Sequence, residues 1–140
     1  MNNHRGTVVV FSFSVLLLFG CTEQRGTQDA VESGEVAEEN VAALAACLRE
    51  NGWVMYSSFT CSACRAQRKA FGDSFALLTE VECNPHAPDA QVDRCVEKKI
   101  LKTPTWIQEK GGIETDRLTG HQELGVLAEK AQCALPAEVE

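Results

Sequence analysis

Trp53-Val54-Met55-Tyr56-Ser57-Ser58-Phe59-Thr60-Cys61-Ser62-Ala63-Cys64-Arg65-Ala66-Gln67-Arg68-Lys69-Ala70-Phe71-Gly72 changes its hydrophobic character halfway along. Trp53 to Tyr56 is an uncharged aromatic and aliphatic run, the pattern of a short buried strand. Ser58 to Cys61 supplies a turn, and Ser62 to Phe71 predicts a helix that closes at Gly72. A Cys-x-x-Cys at such a strand-to-helix junction has a physical logic. The first thiol, Cys61, lies beside unpaired N–H groups at the helix N-terminus, whose partial positive charge favours the thiolate. The thiolate is the attacking species in disulfide exchange. Cys64 lies one turn along and is shielded, where a second thiol can resolve a mixed disulfide. Zinc sites and structural pairs use the same spacing, so the motif alone leaves those uses open.

Upstream, Val41, Leu44, Ala45 and Leu48 recur at i, i+3, i+4 and i+7, an amphipathic helix with Cys47 on its flank. Asn51-Gly52 stops it. Downstream, Phe75 to Cys83 is read as a second strand and Asn84-Pro85-His86-Ala87-Pro88 as loop. Asp89 is a candidate N-cap for a helix from Ala90 to about Lys99. Thr105 to Gln108 and Ile113 to Leu118 flank Lys110-Gly111-Gly112, a hairpin signal. A last helix is expected over His121 to about Cys133. This order predicts an α/β fold, a compact central mixed sheet flanked by helices.

The chain has 140 residues, which predicts one domain. Its 13 basic against 20 acidic residues give a net charge of -7, which excludes nucleic acid as an expected partner. Hydrophobic residues at 44% and charged residues at 24% are a globular composition, not a disordered one. At the N-terminus, Arg5 precedes the apolar run Val8 to Phe19. That run is shorter than the roughly 20 residues a membrane-spanning helix needs. It ends in Leu18-Phe19-Gly20-Cys21, which resembles a bacterial lipobox. That resemblance implies a signal peptide over 1–20 and a diacylglycerol on Cys21. The stretch to residue 40 is polar and acidic and lacks aromatics, so a flexible tether is expected there, with an extra helix over the helix formers Val31 to Glu39 as the alternative, before the domain over 41–140. Thr22 follows the Cys, so the aspartate associated with inner-membrane retention is missing. The expected location is extracytoplasmic, on the periplasmic side, anchored by lipid. Exported chains keep disulfides, so the six other cysteines are expected to pair rather than to hold metal.

Thr103-Pro104-Thr105 opens the hairpin, and a Thr-Pro there suits a cis peptide bond, found in about one X–Pro in twenty. With this element the stretch Leu44 to Cys133 resembles the thioredoxin-like domain that accompanies bacterial and plant vitamin K epoxide reductase homologues, including its free-standing relatives. The matching pieces are Leu44-Ala45 with Leu48, Gly52 to Tyr56, Phe59 to Cys64, Gln67-Arg68-Lys69 with Phe71-Gly72, Val81-Glu82-Cys83, Cys95, and Thr103 to Trp106. The resemblance implies a compact thioredoxin-like fold and thiol-disulfide exchange, with Cys61 as nucleophile and Cys64 resolving. It implies that Thr103 and Pro104 face this pair and position the substrate backbone. It also implies a structural disulfide between Cys83 and Cys95. Elimination then leaves Cys47 to Cys133, while a rival scheme pairs Cys47 with Cys95 and Cys83 with Cys133.

The sequence departs from that family in three ways. The membrane-embedded quinone-reducing domain of the fused homologues has no counterpart in these 140 residues, so a separate membrane redox partner is expected. Ser62-Ala63 stands where the family often has Pro-His, which removes an imidazole from the thiolate. Met55 stands where thioredoxins carry a buried Asp, so no proton acceptor for Cys64 is identifiable. The expected function is an extracytoplasmic, monomeric thiol-disulfide oxidoreductase acting on exported proteins, with no cofactor beyond the Cys61–Cys64 pair. The alternatives are a copper or zinc chaperone, using Cys61 and Cys64 with His121, or a non-catalytic binding module. Trp53 and Trp106 are expected in the core, with the lining of a substrate groove as the alternative for Trp106. Arg65 is a candidate for holding the thiolate, and Glu97-Lys98-Lys99 for exposed helix surface.

Overall fold

The computed structural model describes residues 28–134, and side chains from residue 38 onward. Its centre is strand β1 (Trp53–Ser57), buried along its whole length. Alternation sends Trp53 and Met55 to one face of the sheet and Val54 and Tyr56 to the other. A strand covered on both faces has no polar side to present, hence the continuous hydrophobic run. β1 pairs in parallel with β2 (Thr79–Glu82), Tyr56 opposite Val81, and antiparallel with β3 (Thr105–Lys110), Met55 opposite Trp106. β4 (Ile113–Thr119) completes the sheet in the order β2-β1-β3-β4. The β3–β4 turn uses Gly111 and Gly112 at φ of 60° and 83°, the positive values that a two-residue hairpin turn needs. Gly52 also has positive φ, and the carbonyl oxygen of Glu109 lies only 2.1 Å from where a Cβ would sit.

The remaining elements are α1 (Gln28–Glu50), α2 (Ser62–Phe71), a 3-10 stretch (Gly72–Leu77), α3 (Val92–Glu97) and α4 (Leu124–Ala131). Leu44 and Leu48 of α1, Phe71 of α2 and Leu127 of α4 pack on Trp53, Met55 and Trp106. The opposite face is thinner: Cys95 of α3 meets Val54, Tyr56, Val81 and Ile107. A disulfide joins Cys95 to Cys83 just past β2, and the Arg94 guanidinium stands 5.6 Å over the Tyr56 ring. A second disulfide, Cys47–Cys133, ties α1 to the end of α4. Asn51 donates from Nδ2 to the Ala131 carbonyl at 3.2 Å beside that bridge. Parallel βαβ followed by an antiparallel hairpin and helix, on one mixed sheet, is the compact α/β thioredoxin-like fold that the sequence predicts.

Several element boundaries differ from the sequence reading. α1 begins at Gln28, so residues 28–40 are helical and not tether. Helix formers such as Glu35, Ala37 and Glu38 continue the helix without a proline to stop it. The signal segment 1–20, Cys21 and the rest of the tether lie outside the described residues. The second strand is shorter than Phe75–Cys83, because Phe75, Leu77 and Leu78 turn inward in and after the 3-10 stretch to pack on the α1 side. α3 starts at Val92 after Gln91, not after Asp89, because the Gln91 amide is donated back to the Glu82 carbonyl at 2.8 Å. α4 starts later than His121, since Gln122 is held by α2, and it ends where Gln132 turns to a φ of 56°.

Candidate active site

Cys61 is the N-cap of α2, in an extended conformation at φ -77° and ψ 123°. Its sulfur accepts a hydrogen bond from the Cys64 amide at 3.3 Å, satisfying one of the donors a helix start leaves unpaired. When protonated, the same sulfur donates to the Thr103 carbonyl at 3.2 Å. Cys61 is partly exposed and Cys64 is buried, and neither is in a disulfide. Burial opposes ionisation of Cys61. Hydrogen bonds from the Cys64 thiol, the Thr103 side chain and the amides of Cys64 and Ala63 outweigh it and hold the Cys61 thiol below its usual range. Burial, and then the hydrogen bond to Cys61, push the Cys64 thiol up to about 11. The two sulfurs are thus split into a ready nucleophile and a protected thiol.

Three loops frame the pair. Ser58 to Thr60 leads into Cys61, whose amide is donated to the Ser58 carbonyl at 3.1 Å. The Thr103–Pro104 peptide bond is cis, and Pro104 is buried. The Pro104 carbonyl accepts from the Gly120 amide at 2.8 Å, which joins the second loop to the third. The third loop is clamped by Gln67 on α2, whose Nε2 donates to the Gln122 carbonyl at 3.0 Å while its Oε1 accepts the Gln122 amide at 2.7 Å. Gln67 is fully buried, and a polar side chain in that position needs both partners. Sequence reading placed Gln67 among the matching pieces without a role and missed Gln122 and Gly120, because one buried Gln on an otherwise polar helix carries no pattern.

Other candidate residues fall elsewhere. Arg65 donates to the Thr60 carbonyl at 3.1 Å, so it braces the turn before Cys61 and is not the cation holding the thiolate. Arg68 pairs with Glu80 and donates to Ser57 Oγ at 3.2 Å. Met55 is a core residue, as are Trp53 and Trp106, all three fully buried. Lys98 is less exposed than expected, since it bonds the Gly112 carbonyl at 3.4 Å and lies 3.7 Å from Glu109. His86 and His121 are exposed. Among the described residues no three His, Cys, Asp or Glu side chains are grouped to hold a metal, so His121 is not brought together with the cysteine pair.

No protein-family model matches the chain. In shape it is similar to thioredoxin from Fasciola hepatica, at 19% identity and a TM-score of 0.44 over 74% of this chain and 91% of that one. It is similar to thioredoxin from Aeropyrum pernix, at 19% identity and a TM-score of 0.46 over 69% and 81%. A third likeness is oxidised thioredoxin O2 from Arabidopsis thaliana, at 16% identity and a TM-score of 0.43 over 69% and 86%.

Proposed function

We propose that this chain is a thiol-disulfide oxidoreductase in which Cys61 attacks and Cys64 resolves. One observation carries the reading: a partly exposed, helix-capping Cys61 whose thiol is held low, with Cys64 buried at about 11 on the next turn. The Cys61 thiolate attacks one sulfur of a client disulfide and forms a mixed disulfide, and the other client sulfur leaves as a thiolate that takes a proton from water. Bonding of the Cys61 sulfur to the client removes its negative charge from beside Cys64. One of the causes holding the Cys64 proton thereby disappears. The Cys64 thiolate then displaces the client, which departs reduced by two electrons while Cys61 and Cys64 become a disulfide. The reverse sequence oxidises a client dithiol. Thr103, positioned by Pro104, pairs with the client backbone beside the reacting sulfurs, since the Thr103 carbonyl is free for this once Cys61 has ionised. No cofactor beyond the two sulfurs enters either direction.

The proposal extends to location and partners. The Leu18-Phe19-Gly20-Cys21 signal supports a lipid-anchored, extracytoplasmic protein of the type that accompanies vitamin K epoxide reductase homologues. The two structural disulfides support an oxidising compartment. Its clients are then exported proteins, and its own electrons are exchanged with a separate membrane partner. Expression of a Cys64→Ser variant tests the chemistry, because resolution is blocked and the mixed disulfide accumulates. Covalent adducts that dissolve on reduction and vanish in Cys61→Ser are expected. A Cys64→Ser protein that stays free of adducts, or a purified wild type holding stoichiometric Cu(I) or Zn(II) on the two thiols, overturns the reading.

A further inference from the structure

A groove of about 590 Å³ lies between the turn that leads into Cys61 and the end of β2 with the loop that follows it. Glu82 at the end of β2, the Arg68–Glu80 pair, and the apolar Phe59 and Pro88 line it. The groove is joined to the site by backbone and side chain. The Cys83 amide is donated to the Ser57 carbonyl at 2.8 Å, and Asn84 Nδ2 donates to Thr60 Oγ1 at 3.2 Å, next to Cys61. Phe59, two residues before Cys61, is 48% exposed although it is a large apolar side chain.

The charge in this groove is unbalanced. Glu82 is only 7% exposed, and its Oε1 accepts from the Asn84 amide at 2.7 Å. Among the described residues its carboxylate is paired with no cation. Asp89 at the rim likewise lacks a cation, whereas Glu80 is matched by Arg68. His86 stands exposed at the same rim. A largely covered carboxylate with no paired cation attracts a cation that brings its own apolar stem into the groove.

We infer that this groove selects clients by the residues flanking their reactive cysteine, favouring a basic side chain on Glu82 and Asp89 next to an apolar one on Phe59 and Pro88. The inference rests on the oxidoreductase reading and deepens it by naming the substrate class. Complementary charge beside a reacting atom acts on the encounter rate and weakens with salt.

The test uses reduced full-length protein and short synthetic peptides, each with one cysteine as a mixed disulfide with 2-mercaptoethanol. The peptides differ only in carrying Phe-Lys or Phe-Glu on either side of that cysteine. Bis(2-hydroxyethyl) disulfide, which has no side chain to place in the groove, reports the basal exchange of the wild type. Wild type is expected to consume the Lys peptides about tenfold faster than the Glu peptides at low salt, with the ratio shrinking at high salt. Glu82→Gln keeps an acceptor for the Asn84 amide and should bring the ratio close to one. Asp89→Asn, at an exposed position, should lower it part way and serves if Glu82→Gln fails to fold. Equal rates for the two peptide sets in a wild type that still consumes bis(2-hydroxyethyl) disulfide overturn the groove and leave the oxidoreductase reading standing. A preference that survives both substitutions also overturns it. Failure to consume bis(2-hydroxyethyl) disulfide removes the oxidoreductase reading, and the groove proposal falls with it.

Discussion

At the scale of single residues, the two sulfurs of the site are opposites in a span of four residues. Cys61 caps the helix and collects amides; Cys64 is enclosed by the core and surrenders its proton at about 11. Iodoacetamide should therefore alkylate reduced protein at Cys61 first, with a midpoint below that of an ordinary thiol. Cys64 should react only as pH approaches about 11, resolved by peptide mass mapping across a pH series. Linkage fixes the sign for stability. Cys61, depressed on folding, stabilises the reduced protein above the unfolded thiol value of 9.0, and the gain is lost as pH falls through the lower folded value. Cys64, raised on folding, stabilises it below 9.0, and that gain is lost as pH rises through about 11. Reduced wild type should thus gain on Cys61→Ser as pH rises toward 9.0, read from urea midpoints. Equal alkylation midpoints for the two cysteines would remove the asymmetry on which the proposed mechanism depends. Much of this was readable beforehand, because a helix N-terminus follows from local sequence. The clamp of Gln67 on Gln122 was not, because it joins residues 55 apart through one buried amide.

At the scale of elements, helix α3 is the least supported part of the fold. It is six residues long, lacks a side-chain N-cap, and has Cys95 as its one buried side chain against the sheet. Isolated helices of this length are not stable in water. Its attachment therefore depends on the Cys83–Cys95 bridge, with help from Arg94 over Tyr56 and the 2.6 Å bond from Tyr56 to Glu109. The paired substitution Cys83→Ala with Cys95→Ala should cost about 3 kcal/mol, the chain-entropy value for a short closed loop. Hydrogen exchange should then rise in α3 and the 84–91 loop before it rises in β1. Uniform acceleration across the sheet would mean that α3 and the core open together. Element boundaries were also where sequence reading failed most. The strand expected from Phe75 became a 3-10 stretch because Phe75, Leu77 and Leu78 all find apolar partners on the α1 side, and strict alternation would have sent some of them away. The α1 start was misplaced for a different reason: an acidic, glycine-containing stretch resembles linker in composition even where its backbone is helical. β1 and the β3–β4 hairpin were legible because a buried central strand and a Gly-Gly turn each leave a distinct local pattern.

At the scale of the whole molecule, the Cys47–Cys133 bridge closes the chain around the site without touching it. It spans 86 residues and links the helix that precedes β1 to the end of the helix that follows β4. Both helices pack on the same sheet face, so the bridge fixes their mutual distance over the core formed by Trp53, Met55 and Trp106. Asn51 adds hydrogen bonds to both its sulfurs, at 3.3 Å to Cys47 and 3.7 Å to Cys133. Closure of so long a loop removes more freedom from the unfolded chain than the Cys83–Cys95 bridge does, about 4.5 kcal/mol against about 3 kcal/mol. Cys47→Ala with Cys133→Ala should therefore lower the urea midpoint further than the Cys83/Cys95 double substitution, with both measured in the Cys61–Cys64 oxidised form. Its effect on exchange chemistry should be small, because α2 and the Thr103–Pro104 loop are positioned by β1, β3 and Gln67, whereas the bridge joins α1 to the end of α4. A larger loss from the Cys83/Cys95 pair would reverse the order set by loop length. Stability would then reside in the thin α3 face, next to the groove that Glu82 lines, and not in the helices behind the core.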